Sequence, residues 1–170
     1  SAGSLLLGHL LTDWRNLQAS WSERLAFDNL VLFAPACTHQ FFDSFLKTAM
    51  QSQHVGDLYH FHLDDVAENQ DNVGGIYRKS LLYLVSRAYQ KKGEVVPLMG
   101  MAKYLEDLPD AGVVSRLHHY DNVKNPGKTT STKHGRFDND EPTMNSLLEI
   151  ILGQPPSDSK KFTPDELSGY

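Results

Sequence analysis

Cysteine is nearly absent from this chain, with Cys37 the only thiol among 170 residues. A lone cysteine excludes an internal disulfide and suits a reducing compartment, so a cytoplasmic location is the expectation. Long apolar runs are missing as well. No stretch approaches the ~20 residues that a membrane-spanning helix needs, so no membrane span is expected. Positive charge is in short supply: 16 Lys and Arg against 21 Asp and Glu leave a formal net charge of −5. A general nucleic-acid binder carries a basic patch or stripe, so no nucleic-acid partner is expected either. The chain shows no internal repeat and no Cys/His pattern with zinc spacing.

What is present is an ordinary globular composition, 40% hydrophobic, 22% charged and 10% aromatic, at a length that suits one domain around one core. Leu5, Leu6, Leu7, Leu10, Leu11, Trp14 and Leu17 recur at helical spacing, which predicts a helix burying one wide face. Residues 29–35 (NLVLFAP) read as a strand buried on both sides. A second helix is predicted over 38–53, with Phe41, Phe42, Phe45, Leu46 and Met50 on one face. Residues 57–63 (DLYHFHL) read as a second strand, Tyr59, Phe61 and Leu63 facing one way and His60 and His62 the other. An acidic loop (64–72) follows. Gly74-Gly75 leads to a third helix over 77–91, residues 97–108 are mixed, and 113–120 (VVSRLHHY) give a third strand. A polar loop then runs to His134-Gly135-Arg136-Phe137-Asp138. A last helix, 142–152, carries Met144, Leu147, Leu148 and Ile151 on one face and stops at Gly153. Residues 1–153 thus form one domain, and 154–170 are expected to be a polar, mobile tail.

Helices alternating with strands imply a parallel sheet with helices on its faces. Chemistry in such sheets gathers at the carboxyl ends of the strands. Asp64 and Asp65 follow the second strand, and His134 follows the third. Ser1-Ala2-Gly3 opens the first helix as the second half of a G-x-S-x-G elbow would, with the Ala2 N–H aimed where an oxyanion forms. Gly3 is expected to let the helix start lie close to a neighbouring strand, and Gly135 to allow a tight turn that presents the His134 ring. Small residues at a chain start can also be left by cloning.

The order Ser…Asp…His resembles the α/β-hydrolase fold. The segments that carry the resemblance are Ser1-Ala2-Gly3, LVLFAPACT, the loop after HFHLDD and the THGRFDND-like run around His134. YRKSLLYLVSRAYQ followed by PLMGMAKYL is similar to segments of bacterial α/β-hydrolase-like proteins. The resemblance spans residues 1–153 and implies a parallel-sheet, three-layer α/β-hydrolase-like fold, incomplete here because the upstream strands are missing. It also implies a serine hydrolase acting on a small ester, thioester or amide, with no cofactor and no metal. Ser1 would be nucleophile, His134 base and then acid, Asp65 the orienting carboxylate, and the Ala2 N–H an oxyanion donor. Asp64 and Asp71 are the alternative acids. A serine hydroxyl needs a base to take its proton, an imidazole with pKa near ~6.5 can do so, and a carboxylate fixes its tautomer.

Other readings stay open. DDVAENQD can be a solvated loop that caps a helix. His60 and His62 at i, i+2 could ligate a metal with Asp64 or Asp65, though hydrogen-bonded strand histidines are the preferred reading, and His118-His119 is noted beside them. Cys37 is expected to be a buried, inert thiol. A serine at position 1 also suits an N-terminal-nucleophile hydrolase, but those use antiparallel sheets. A binding or scaffolding domain that kept the fold and lost activity is the main alternative. The elbow strand and the second oxyanion donor would lie upstream of Ser1. The isolated chain is therefore expected to be inactive, and an N-terminal half on a separate chain is a candidate partner.

Overall fold

The computed structural model describes residues 2–18, 26–72, 78–88, 95–107 and 113–168. Three strands, β1 (Phe27–Phe33), β2 (Val55–His62) and β3 (Leu117–Asp121), form one parallel sheet with β2 in the centre. Register places Leu30 opposite Leu58 and Phe33 opposite Phe61, then Leu58 opposite Leu117, His60 opposite His119 and His62 opposite Asp121.

Because strand side chains alternate, the sheet has two apolar faces. On one, Leu30, Leu32, Leu58 and Leu117 pack against Leu11, Phe42, Leu46 and Met50. On the other, Val31, Phe33, Tyr59, Phe61 and Tyr120 pack against Ala67, Leu82, Tyr83, Phe137 and Ile150. Helices therefore cover both faces, and the molecule is mixed α/β around a small parallel sheet, as the alternation of elements predicts.

Helix α1 (Gly3–Gln18) buries a narrower line than its leucines suggest. Ser4, Gly8 and Leu11 are buried, while Leu6, Leu10 and Leu17 are 75%, 53% and 59% exposed. The close approach belongs to Gly8, where a Cβ would lie 2.4 Å from the Phe41 ring; Gly3 has nothing within 4 Å of that position. Thr38 caps the second helix by accepting from the Phe41 N–H at 3.0 Å. That helix runs through α2 (His39–Phe41), a π-helical segment (Phe42–Lys47) and α3 (Thr48–Gln51). The wider π turn was not foreseeable from an apolar face at ordinary helical spacing.

Strands β1 and β2 begin two residues earlier than the apolar runs suggest, because backbone pairing continues through Phe27 and Val55. β3 begins later, after a 3₁₀ turn (Val114–Arg116). The Arg116 guanidinium there donates to the Met50, Val55 and Gly56 carbonyls at 2.9, 3.2 and 2.9 Å, pinning the start of β3 to β2.

The acidic segment read as a loop is a helix, α4 (Asp65–Gln70), capped by Asp64. α5 is described over Leu81–Ala88; residues 78–80, expected within it, precede it, and residues 77 and 89–91 lie outside the described residues. Gly74-Gly75 lies outside the described residues. Residues 97–108, left undecided by pattern, hold a 3₁₀ turn (Ala102–Asp107), with Leu98, Met99 and Met101 buried.

Helix α6 (Glu141–Leu152) stops at Gly153, whose φ of 67° only glycine adopts without strain. Its fully buried side is polar, Thr143 and Ser146, and Ile151 is 68% exposed. The expected stripe of Met144, Leu147, Leu148 and Ile151 thus gives way to hydroxyls. Thr143 Oγ1 donates to Asp140 at 2.5 Å, and Ser146 Oγ donates to the Lys128 carbonyl at 2.9 Å. The C-terminal stretch read as a polar tail makes contacts with α6 among its described residues. Asn145 exchanges two hydrogen bonds with the Phe162 backbone, and α7 (Pro164–Leu167) carries a capping box from Thr163 and Glu166. No helix among the described residues is long and apolar enough to cross a membrane.

Candidate active site at the carboxyl edge of the sheet

Parallel strands deliver their following loops to one edge, and three of the candidate groups arrive there by that route. Asp64 follows β2 directly and its carboxylate is occupied in holding structure. It accepts from the Val66 and Ala67 N–H groups at 3.0 and 3.2 Å, and from Asn122 Nδ2 at 3.0 Å. The Asp64 N–H in turn donates to Asn122 Oδ1 at 2.9 Å, joining the end of β2 to the turn after β3.

Asp65, the carboxylate favoured by its place after the strand, is spent on packing α4 against α5. It accepts from the Tyr83 hydroxyl at 3.1 Å and from Asn69 Nδ2 at 3.2 Å. Asp71, at the C-terminal cap of α4, accepts the backbone N–H of His134 at 3.0 Å. Of the three aspartates, Asp71 is therefore the one that the structure joins to the histidine loop.

His134 is half-buried, and its Nδ1 is buried with no hydrogen-bond partner among the described residues. Burial pushes its pKa down to about 4, and the charge of Asp71 works in the opposite direction. The ring is thus neutral near pH 7, the form in which imidazole accepts a proton. Gly135 lies in the turn after it without a positive φ. A cleft of about 570 Å³ opens next to this loop, lined by Asp64, Val66, Asp71, Asn122, Thr132 and Lys133, with His134 itself just outside the lining. That volume suits a small molecule.

Ala2 is exposed, and its carbonyl accepts the Leu5 N–H at 3.0 Å in the first turn of α1. Gly3 and Ser4 line a groove of about 380 Å³ with Val31, Phe33 and Pro35. The start of α1 therefore stands beside the carboxyl end of β1, on the edge shared with Asp71 and His134. Ser1 lies outside the described residues. Just past β1, Ala34 adopts φ 40°, a left-handed conformation costing a non-glycine residue ~1–3 kcal/mol.

Cys37 is fully buried, and burial pushes its thiol up to about 11, with a hydrogen bond to Ser4 opposing the shift. This agrees with an inert thiol. Glu68 escaped the sequence reading because it sits within an acidic run that looks solvated. It is 1% exposed, receives the Ser80 hydroxyl on Oε2, and leaves Oε1 without a partner. Burial raises its pKa to about 7, with Asp71, Asp65 and Asp64 adding to the rise.

A second cluster lies on the sheet face that α1 and α2 cover. His60, His62 and His119 bring ligand-capable nitrogens within 4.8 Å of one another. The i, i+2 pair was visible in the sequence, but the third member comes from β3 and not from Asp64 or Asp65. Of the adjacent His118 and His119 of β3, only the register of β2 against β3 tells that His119 shares the face. His118 points to the opposite face, where it stacks on Tyr59 at 4.6 Å and meets Asp57 at 2.9 Å.

Comparison with protein-family models, curated proteins and solved structures returns no match for this chain.

Proposed function

We propose that this chain carries the acid and base half of a serine hydrolase of the α/β-hydrolase kind, acting on a small ester or amide. The observation behind this reading is the pairing of Asp71 with the His134 loop, which holds a neutral imidazole beside a cleft at the carboxyl edge of a parallel sheet. His134 would take the proton of the Ser1 hydroxyl and return it to the leaving group, and Asp71, in place of Asp65, would orient the ring. The Ala2 N–H would face the developing oxyanion. Support also comes from the edge of β1, which no other strand pairs among the described residues, beside the exposed Leu6 and Leu10 of α1, where a preceding elbow strand would add in parallel.

The test uses protein expressed with whatever residues precede Ser1 in its coding sequence. A serine-directed phosphonate should label Ser1, and ester turnover should fall about 10²–10⁴-fold in His134→Ala and in Asp71→Asn. Loss in Asp65→Asn with Asp71→Asn silent returns the acid role to Asp65. Folded protein that neither labels nor turns over an ester favours the alternative, a binding domain without activity.

A further inference from the structure

The three histidines on the inner sheet face have no place in the proposed hydrolase chemistry. Placing them there is costly, since three imidazoles bring six ring nitrogens into a setting with little water. His60 is fully buried and His62 is 3% exposed, while His119 is half-buried. Strand geometry explains the meeting. Positions 60 and 62 share one face because side chains repeat every two residues, and the parallel register sets His119 directly across from His60. Ring centroids lie 4.9 Å apart for His60 and His62, 5.1 Å for His60 and His119, and 6.1 Å for His62 and His119.

Their hydrogen bonds leave lone pairs unused. His62 Nδ1 lies 2.9 Å from the Leu63 carbonyl. A carbonyl only accepts, so His62 Nδ1 carries the proton and Nε2 is left as a lone pair. This is how a backbone carbonyl sets the tautomer of a ligating histidine. His60 Nδ1 and His119 Nδ1 face each other at 2.9 Å, and His60 Nε2 is buried without a partner. A buried, unsatisfied ring nitrogen costs stability that a ligated ion would restore. Burial is the main force pushing all three pKa values down, so the imidazoles are held in the neutral, ligand-competent form.

The geometry points to a metal site: His60, His62 and His119 bind one divalent transition ion of the zinc class, clamping β2 to β3. Two nitrogens sharing a tetrahedral zinc at ~2.0–2.1 Å stand about 3.3 Å apart. The facing Nδ1 atoms therefore need to open by only a few tenths of an ångström, and separations in the cluster of up to 4.8 Å need to close by up to about 1.5 Å. Three imidazoles are the composition of sites that keep a fourth position for water or an exogenous ligand. Imidazole donors suit zinc, copper, nickel and iron, and disfavour calcium and magnesium. Asp121, 4% exposed, faces His62 from β3 and raises its basicity, as an outer carboxylate does around a metal.

The experiment titrates the full chain, stripped with a chelator, with Zn²⁺ and with Co²⁺. One equivalent should bind, raise Tm, and give Co²⁺ the absorption of a tetrahedral nitrogen-rich site. His119→Gln, at the half-buried member, should weaken binding about 100-fold or more, and His118→Gln on the opposite face should leave it unchanged. X-ray absorption on the zinc-loaded wild type should count three imidazoles, a reading that stands even if a variant fails to fold. No binding by the stripped wild type overturns the proposal. So does a bound ion with fewer than three imidazoles, or affinity that follows His118 rather than His119.

Discussion

Cys37 shows how one residue can look reactive by position and be inert by environment. It follows the carboxyl end of β1, where parallel sheets carry their nucleophiles, yet it is fully enclosed and its thiol is pushed up to about 11. Relative to a thiol at the ordinary value of 9.0, the thiolate fraction at pH 8 falls about 100-fold from ionisation alone. Native protein should therefore react with iodoacetamide at pH 8 at least that much more slowly than protein in denaturant. Equal rates in the two states would show that Cys37 is open to solvent. The same contrast separates the aspartates. Distance along the chain from a strand end ranked Asp65 first, but the Tyr83 hydroxyl takes its carboxylate, and Asp71, at the end of α4, accepts the backbone N–H of His134. Which acid meets which histidine is a fact of tertiary structure, and chain order alone does not contain it.

At the scale of elements, the apolar pattern was informative wherever apolar contact decides the structure. The alternation of Tyr59, Phe61 and Leu63 with His60 and His62 was legible, and so was the stop at Gly153. It failed where polar groups decide: α4 is begun by an aspartate cap, and α6 buries hydroxyls. Close approach of backbones was likewise invisible. Gly100 packs its Cα against the strained turn after β1, with its N–H donating to the Pro35 carbonyl at 2.9 Å. A Cβ there would stand 2.7 Å from the Pro35 oxygen and 2.8 Å from the Ala34 carbonyl carbon. The Leu82 Cδ1 methyl, nearer still at 2.6 Å, can turn away, but the backbone atoms cannot, so Gly100→Ala should destabilise by about 1–3 kcal/mol in urea unfolding. An unchanged midpoint would mean that the turn at Ala34 relaxes freely.

For the whole molecule, buried titratable groups of opposite sign shape the response to pH. His134, with a folded value of about 4 against an ordinary 6.5, binds fewer protons folded than unfolded between those limits. Its contribution is present above pH 6.5 and is lost as pH falls towards 4. Glu68, at about 7 against an ordinary 4.5, does the reverse, binding more protons folded, so its contribution is lost as pH rises from 4.5 to 7. Where the two windows overlap, Glu68 offsets one proton's worth of the slope that His134 and the lowered sheet histidines His60, His62 and His119 impose, so the wild-type stability curve there is flatter than the histidines alone would make it. Glu68→Gln keeps a partner for the Ser80 hydroxyl and removes the carboxyl's titration. Its stability should therefore climb more steeply with pH than wild type between pH 5 and 6.5, by up to about 1.4 kcal/mol per pH unit, one proton's worth. At pH 8 the variant should be the more stable of the two, because wild type then bears the cost of a charged carboxylate with an unpartnered oxygen in the core. Unfolding measured across this range in the presence of a chelator isolates the proton balance from any metal on the sheet histidines. Parallel curves for the two proteins would show that Glu68 titrates alike in the folded and unfolded chain, and that solvent reaches its carboxyl.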